Sequence, residues 1–168
     1  KSWSNATKFK YKNVYVYDTE HQKRALKKIY ETDDMACTLS LRNLSTGDLN
    51  SSEFFPLLIS LLTSPKYIFL YCFAEKNKRQ LIYDILLDKM MISTGYYIYY
   101  RLLFCFFRPK SIVFGNDHNC RIRSIAIAAK KSNVKSIYVQ HASVNSNFPS
   151  LKYYDICFLD GKSSLEHY

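Results

Sequence analysis

SIVFGNDHNCRIRSIAIAAKKSNVKSIYVQH, residues 111–141, is the stretch that decides the fold. Ser111 to Gly115 is a short run built on Ile, Val and Phe and predicts a buried strand. Asn116 to Asn119 form a polar turn, Arg121 to Ser132 a helix, and Val134 to Gln140 the next strand. Two strands joined by a single helix of this length pair in parallel through a right-handed crossover. Downstream, a loop containing Phe148-Pro149 leads to a third strand, Tyr154 to Leu159, and Asp160-Gly161-Lys162-Ser163-Ser164 begins another helix.

The same alternation starts the chain. Asn13 to Asp18 reads as a buried first strand; Thr19 and Glu20 open a helix through Tyr30, with Ala25, Leu26 and Ile29 at helical spacing among basic residues. Met35 to Leu41 is a second strand, closed by the turn cluster Ser45-Thr46-Gly47-Asp48. Ser51 or Ser52 caps a helix from Glu53 to about Thr63, with Pro56 in its first turn, and Pro65 ends it. Between Lys66 and Phe107 helix is the better assignment: Leu81, Ile82, Ile85, Leu86 and Met90 keep helical spacing, and Gly95 falls near a junction between elements. Arg101 is expected to snorkel from a packed helix. The pattern predicts one α/β domain over residues 1–168, a Rossmann-like parallel sheet flanked by helices, forming the N-terminal part of a longer chain.

At 48% hydrophobic and 16% aromatic, the chain is too rich in core-forming residues to be mainly disordered. Lys and Arg outnumber Asp and Glu by 24 to 14, a formal charge of +10 that attracts phosphate-bearing partners. No arginine-rich run, zinc-knuckle spacing or RNP-type motif accompanies it, which argues against nucleic acid and for anionic lipid or a phosphorylated ligand. The five cysteines are widely spaced, include no C-x-x-C pair and complete no metal-site spacing, so reduced thiols and a cytosolic compartment are expected. Cys105 and Cys157 lie in apolar runs, where a thiol acts as a small hydrophobe. Phe54 to Leu62, Tyr67 to Ala74 and Tyr96 to Phe107 each read as too short, or too interrupted by Arg101, to span a bilayer, and no signal peptide is visible.

Ligands of an open parallel sheet bind beyond the carboxyl ends of its strands. That rule singles out Asn116 to Asn119, Gln140 to Val144 and Asp160 to Ser163. Asp117 offers a carboxylate that accepts a proton from a hydroxyl; alternatively, Asp117 or Asn119 caps the following helix, and the two roles are compatible. His141, after its strand, offers a neutral imidazole for general-base work or a structural role. Gly161-Lys162-Ser163 looks like the end of a phosphate loop, but Ile156 stands where the Walker pattern needs glycine, which leaves a strand-to-helix turn with Ser163 as its cap.

The segment Ser111 to Tyr168 resembles bacterial capsule and lipopolysaccharide glycosyltransferases of GT-B architecture. The residues that carry the resemblance are Asn116-Asp117-His118, Arg123, Ala128-Ala129-Lys130, Tyr138-Val139-Gln140-His141, Phe148-Pro149, Leu151, Asp155, Phe158-Leu159-Asp160-Gly161 and Tyr168. Ala142 departs from the glycine usual after the Gln-His pair. The resemblance implies the acceptor-side half of a two-domain enzyme that builds surface polysaccharide, inactive without its donor-binding half. It implies Asp117 or His141 as the base that deprotonates the acceptor, and Asn116, His118, Arg121, Arg123, Gln140 and Ser143 as acceptor-binding residues. It implies a nucleotide-sugar donor, no metal or other cofactor, a glycan or lipid-linked acceptor, and a cytoplasmic position, peripheral at an anionic membrane surface. Polyol-phosphate transferases using a CDP-linked donor carry a similar His after a strand, and a non-enzymatic basic module that docks on membranes or a partner is the third alternative.

Overall fold

In the computed structural model, residues 12–41, 49–50, 53–85, 87–115, 119–140 and 150–167 are described, without the side chains of 49, 50, 77, 81, 82, 84, 85, 87, 163 and 167. The expected turn at Ser45 to Asp48, the caps Ser51 and Ser52, Leu86 and the Phe148-Pro149 loop lie outside that set. The described elements are β1 (Asn13–Tyr17), α1 (Glu20–Tyr30), β2 (Ala36–Ser40), β3 (Leu49–Asn50), α2 (Phe54–Phe73), α3 (Lys76–Ile85), α4 (Leu87–Phe107), β4 (Ser111–Phe114), α5 (Cys120–Lys131), β5 (Lys135–Val139), β6 (Ile156–Phe158) and α6 (Gly161–His167).

The strands form one sheet of order β3-β2-β1-β4-β5-β6, every neighbouring pair parallel. This is the Rossmann-like α/β sheet that the strand-helix alternation predicts. The chain winds from β1 toward one edge and from β4 toward the other, so crossovers of one hand put their helices on opposite faces. The packing agrees. Val14, Val16, Ile112, Phe114 and Tyr138 point into the larger core with Tyr96, Tyr100 and Phe104 of α4 and Ile122 and Ile125 of α5. Their neighbours Tyr15 and Val113 point the other way, onto Leu26 of α1. The period-two alternation of a strand thus feeds two cores.

The amino-terminal edge of the sheet is held by side chains. Ser111 Oγ donates to Asn13 Oδ1 at 2.8 Å, while Asp33 accepts from Asn13 Nδ2 at 2.8 Å, from the Tyr15 hydroxyl at 2.9 Å and from Met35 N at 2.9 Å. Partial burial works to raise the Asp33 carboxyl, but these hydrogen bonds outweigh it and hold it below the ordinary carboxylate value. Burial, with the Asp33 charge beside it, pushes the Tyr15 hydroxyl up. At the far end Asp155 ties β5 to the start of β6, accepting from Ser136 N and Ser136 Oγ, both at 2.8 Å.

Four expectations are corrected. Pro65 does not end its helix: α2 runs 20 residues through it. Proline has no N–H for the Leu61 carbonyl four residues back, and Ser64 Oγ supplies the missing donor at 2.7 Å. Two apolar stretches thereby fuse, and α2 becomes long and apolar enough, by length and composition, to cross a membrane. Gly95 lies inside α4, not at a junction: a Cβ there would stand 2.1 Å from both the Pro56 carbonyl oxygen and Ser60 Oγ of α2. Cys105 is exposed, because α4 turns Tyr100 and Phe104 toward the sheet instead, whereas Cys157 does pack on the larger core. Ser163 falls within the first turn of α6, which begins at Gly161 with φ of 81°, a conformation that suits glycine. Arg101 behaves as expected, reaching out to donate to the Lys131 carbonyl at 2.7 Å.

Two predictions follow from this packing. Gly95→Ala gains about 1 kcal/mol of helix propensity yet overpacks a backbone contact at a cost of about 3 kcal/mol, for a net loss of about 2 kcal/mol in urea denaturation; a variant as stable as the parent would mean that α2 and α4 do not approach so closely. The depressed Asp33 carboxyl contributes stability above its unfolded value near 4 (roughly) and loses it as pH falls through its lower folded value. The stability gap between the parent and Asp33→Asn should therefore shrink on acidification, and a gap independent of pH in thermal melts contradicts the network.

Candidate functional site

Sheet order reverses between β1 and β4, and in such a sheet the crevice for a ligand opens at the carboxyl ends of those two strands. Asp18 follows β1 directly and is buried; its N–H donates to Gln22 Oε1 at 2.7 Å, while Thr19 caps α1 by accepting from Gln22 N. On the other side of the crevice Asn119 caps α5, its Oδ1 accepting from Arg121 N at 2.8 Å. The same amide donates through Nδ2 to Asp18 Oδ2 at 3.1 Å. One side chain therefore satisfies a helix terminus and bridges the two halves of the sheet.

Beside this bridge, Arg121 forms an ion pair with Glu53, the residue before α2, and places its guanidinium 5.5 Å from the centre of the Tyr96 ring. Burial is the main cause that pushes the Tyr96 hydroxyl up to about 12; Arg121 opposes it, and Glu53 and Asp18 add to it. Arg121 of α5 thus meets Glu53, just before α2, and Tyr96 of α4 at one place.

From Asn119 a cleft of about 730 Å³ extends between α4 and α5. Lys89, Ser93 and Thr94 line it from α4, Arg123 and Ser124 from α5, and Tyr153 from the segment before β6. Two cations and no carboxylate, beside the apolar Met90 and Ile127, make this lining suited to an anionic ligand with an apolar part.

The residues singled out in the sequence divide into three groups. Arg123 lines the cleft. Arg121 and Gln140 are engaged in holding the fold. Arg121 is taken up by Glu53 and Tyr96, and Gln140 pins the turn into α6 by donating from Nε2 to Ser164 Oγ and accepting from Asp160 N, both at 2.9 Å. Asn116, Asp117, His118, His141 and Ser143 lie outside the described residues; β4 and β5, the strands they follow, pair in parallel and end at the same sheet edge as β1. The sequence reading missed Asp18 and Lys89. The strand-end rule that selected the later loops also covers Asp18, directly after Tyr17, whereas nothing local in sequence marks Lys89 as facing α5.

Asn119→Ala removes both the cap and the tie to Asp18, with an expected loss of about 1–2 kcal/mol in chemical denaturation; an unchanged midpoint contradicts the bridge. No protein-family model, curated protein or solved structure matches this chain.

Proposed function

We propose that this chain is the acceptor-side domain of a nucleotide-sugar-dependent glycosyltransferase of surface polysaccharide biosynthesis, with its acceptor in the crevice between β1 and β4. The observation that carries this is the parallel pairing of β1, β4 and β5, whose carboxyl ends lie at one edge. The segments that bear Asp117 and His141 follow two of those strands, and Asp18 follows the third. The residues from Ser111 onward add their resemblance to the GT-B transferases.

In this mechanism Asp117 or His141 takes the proton from an acceptor hydroxyl as it attacks the anomeric carbon of the donor sugar, whose nucleotide leaves from the other half of the complete enzyme. Arg123 and Lys89 pair with a phosphate or carboxylate on the acceptor and orient it. The bridge from Asn119 to Asp18 keeps the two walls of the crevice in register during the reaction.

The complete enzyme, assayed against a panel of nucleotide-sugars and CDP-linked polyols, should transfer sugar. Removing the base should lower turnover by roughly 10²- to 10⁴-fold while the circular dichroism spectrum stays unchanged; parental turnover in both Asp117→Ala and His141→Ala removes the assignment. Arg123→Ala should raise the acceptor KM about tenfold with kcat nearly unaltered, as expected for a charge-assisted contact made equally in ground and transition states. Transfer from CDP-linked donors alone would identify a polyol-phosphate transferase, and no transfer from any donor would favour a docking module.

A further inference from the structure

Helix α2 has a face that the rest of the described chain does not cover. Pro56, Ser60 and Tyr67 are buried on its inner side against α4, where the close contact at Gly95 holds the two helices together. Its outer side carries Leu61, Leu62, Ile68, Phe69 and Phe73, between 51% and 74% exposed. At a rise of 1.5 Å per residue this stripe runs along roughly 18 Å of helix, and only 17% of the most apolar 18-residue window is buried. A contiguous apolar surface of this length is uncommon on a protein that meets only water.

We infer that this outer face is a docking surface for an anionic lipid bilayer, with α2 lying in the plane of the membrane interface. Three observations favour lipid over a protein partner. First, the hydroxyls of Thr63 and Ser64 donate to carbonyls of their own helix, of Ile59 and Leu61, at 2.9 and 2.7 Å. They ask for no hydrogen bond from outside, as a helix in contact with acyl chains requires, whereas a protein interface makes about one hydrogen bond per 100–200 Å². Second, residues 54–79 hold Lys66, Lys76, Lys78 and Arg79 against the single acid Glu75, which pairs with Lys78. Although Arg79 also donates to the Ala74 and Cys72 carbonyls, the segment keeps a positive balance, a cationic rim to α2 that complements anionic headgroups. Third, that rim and the formal charge of +10 oppose the pairing of two identical copies through this face. Packing on α4 fixes the orientation: the inner side is committed to protein, so the helix lies on the membrane and does not cross it. This inference stands on α2 alone and does not depend on the transferase proposal.

Co-sedimentation of the full chain with vesicles of phosphatidylcholine, with and without phosphatidylglycerol, tests it. The parent should bind vesicles containing phosphatidylglycerol at least about tenfold more tightly than Leu61→Glu/Phe69→Glu, the far-ultraviolet circular dichroism of the two being the same. Should the double variant lose its fold, Leu62→Gln, a milder change at a residue 71% exposed, should still weaken binding measurably. Lys76→Gln/Lys78→Gln should weaken binding to anionic vesicles only. Equal vesicle binding by the parent and the folded stripe variants overturns the inference. So does a concentration-dependent dimer, or capture of a soluble acidic protein, that these variants abolish while no vesicle binding is seen.

Discussion

The pairing of β1 with β4 is the contact on which the rest of the molecule depends. Asn13 to Val16 lie in register with Ser111 to Phe114, strands separated in sequence by β2, β3 and four helices. Closing so long a loop, which holds α1 to α4, costs entropy that local contacts cannot return. Burial of Val14, Val16, Ile112 and Phe114 in the larger core offsets it, and the Ser111-Asn13-Asp33-Tyr15 hydrogen bonds fix the register. Without this pair there is no reversal of strand order, and without the reversal there is no crevice.

At the crevice the fold divides labour between neighbouring residues of α5. Arg121 and Arg123 are two positions apart, a spacing at which helical side chains face different ways. Arg121 turns toward α2 and α4, pairing with Glu53 over the Tyr96 ring, and Arg123 turns into the cleft. Asn119, one turn earlier, serves both sides at once through its cap and its bond to Asp18. A single helix start thus carries a structural cation, a cation that lines the cleft and the bridge between the half-sheets.

Much of this was legible in the residues. β1, α1, β2, β4, α5 and β5 follow apolar runs and helical spacing within a residue or two, because each buries a face whose period is written locally. Strand order was not legible, since it is set by contacts between distant segments. Pro65 read as a stop because the donor that replaces its missing N–H is a neighbouring serine hydroxyl, a geometric fact that propensity does not encode. Gly95 read as a junction because a glycine needed for helix contact looks in sequence like one needed for a turn. Arg121 read as a ligand residue because its partner Glu53 lies 68 positions away. Asp18 is within reach of the strand-end rule, because it directly follows Tyr17, the last residue of β1.

The three helices between β3 and β4 leave the sheet and return to it without contributing a strand. Strand register places no limit on their length or surface, so long as α4 keeps its seat on the larger core and Gly95 keeps its contact with α2. The outer helix is in this sense modular. Mutation can change the exterior of α2 while leaving the strand ends untouched, so that the two surfaces are free to evolve separately.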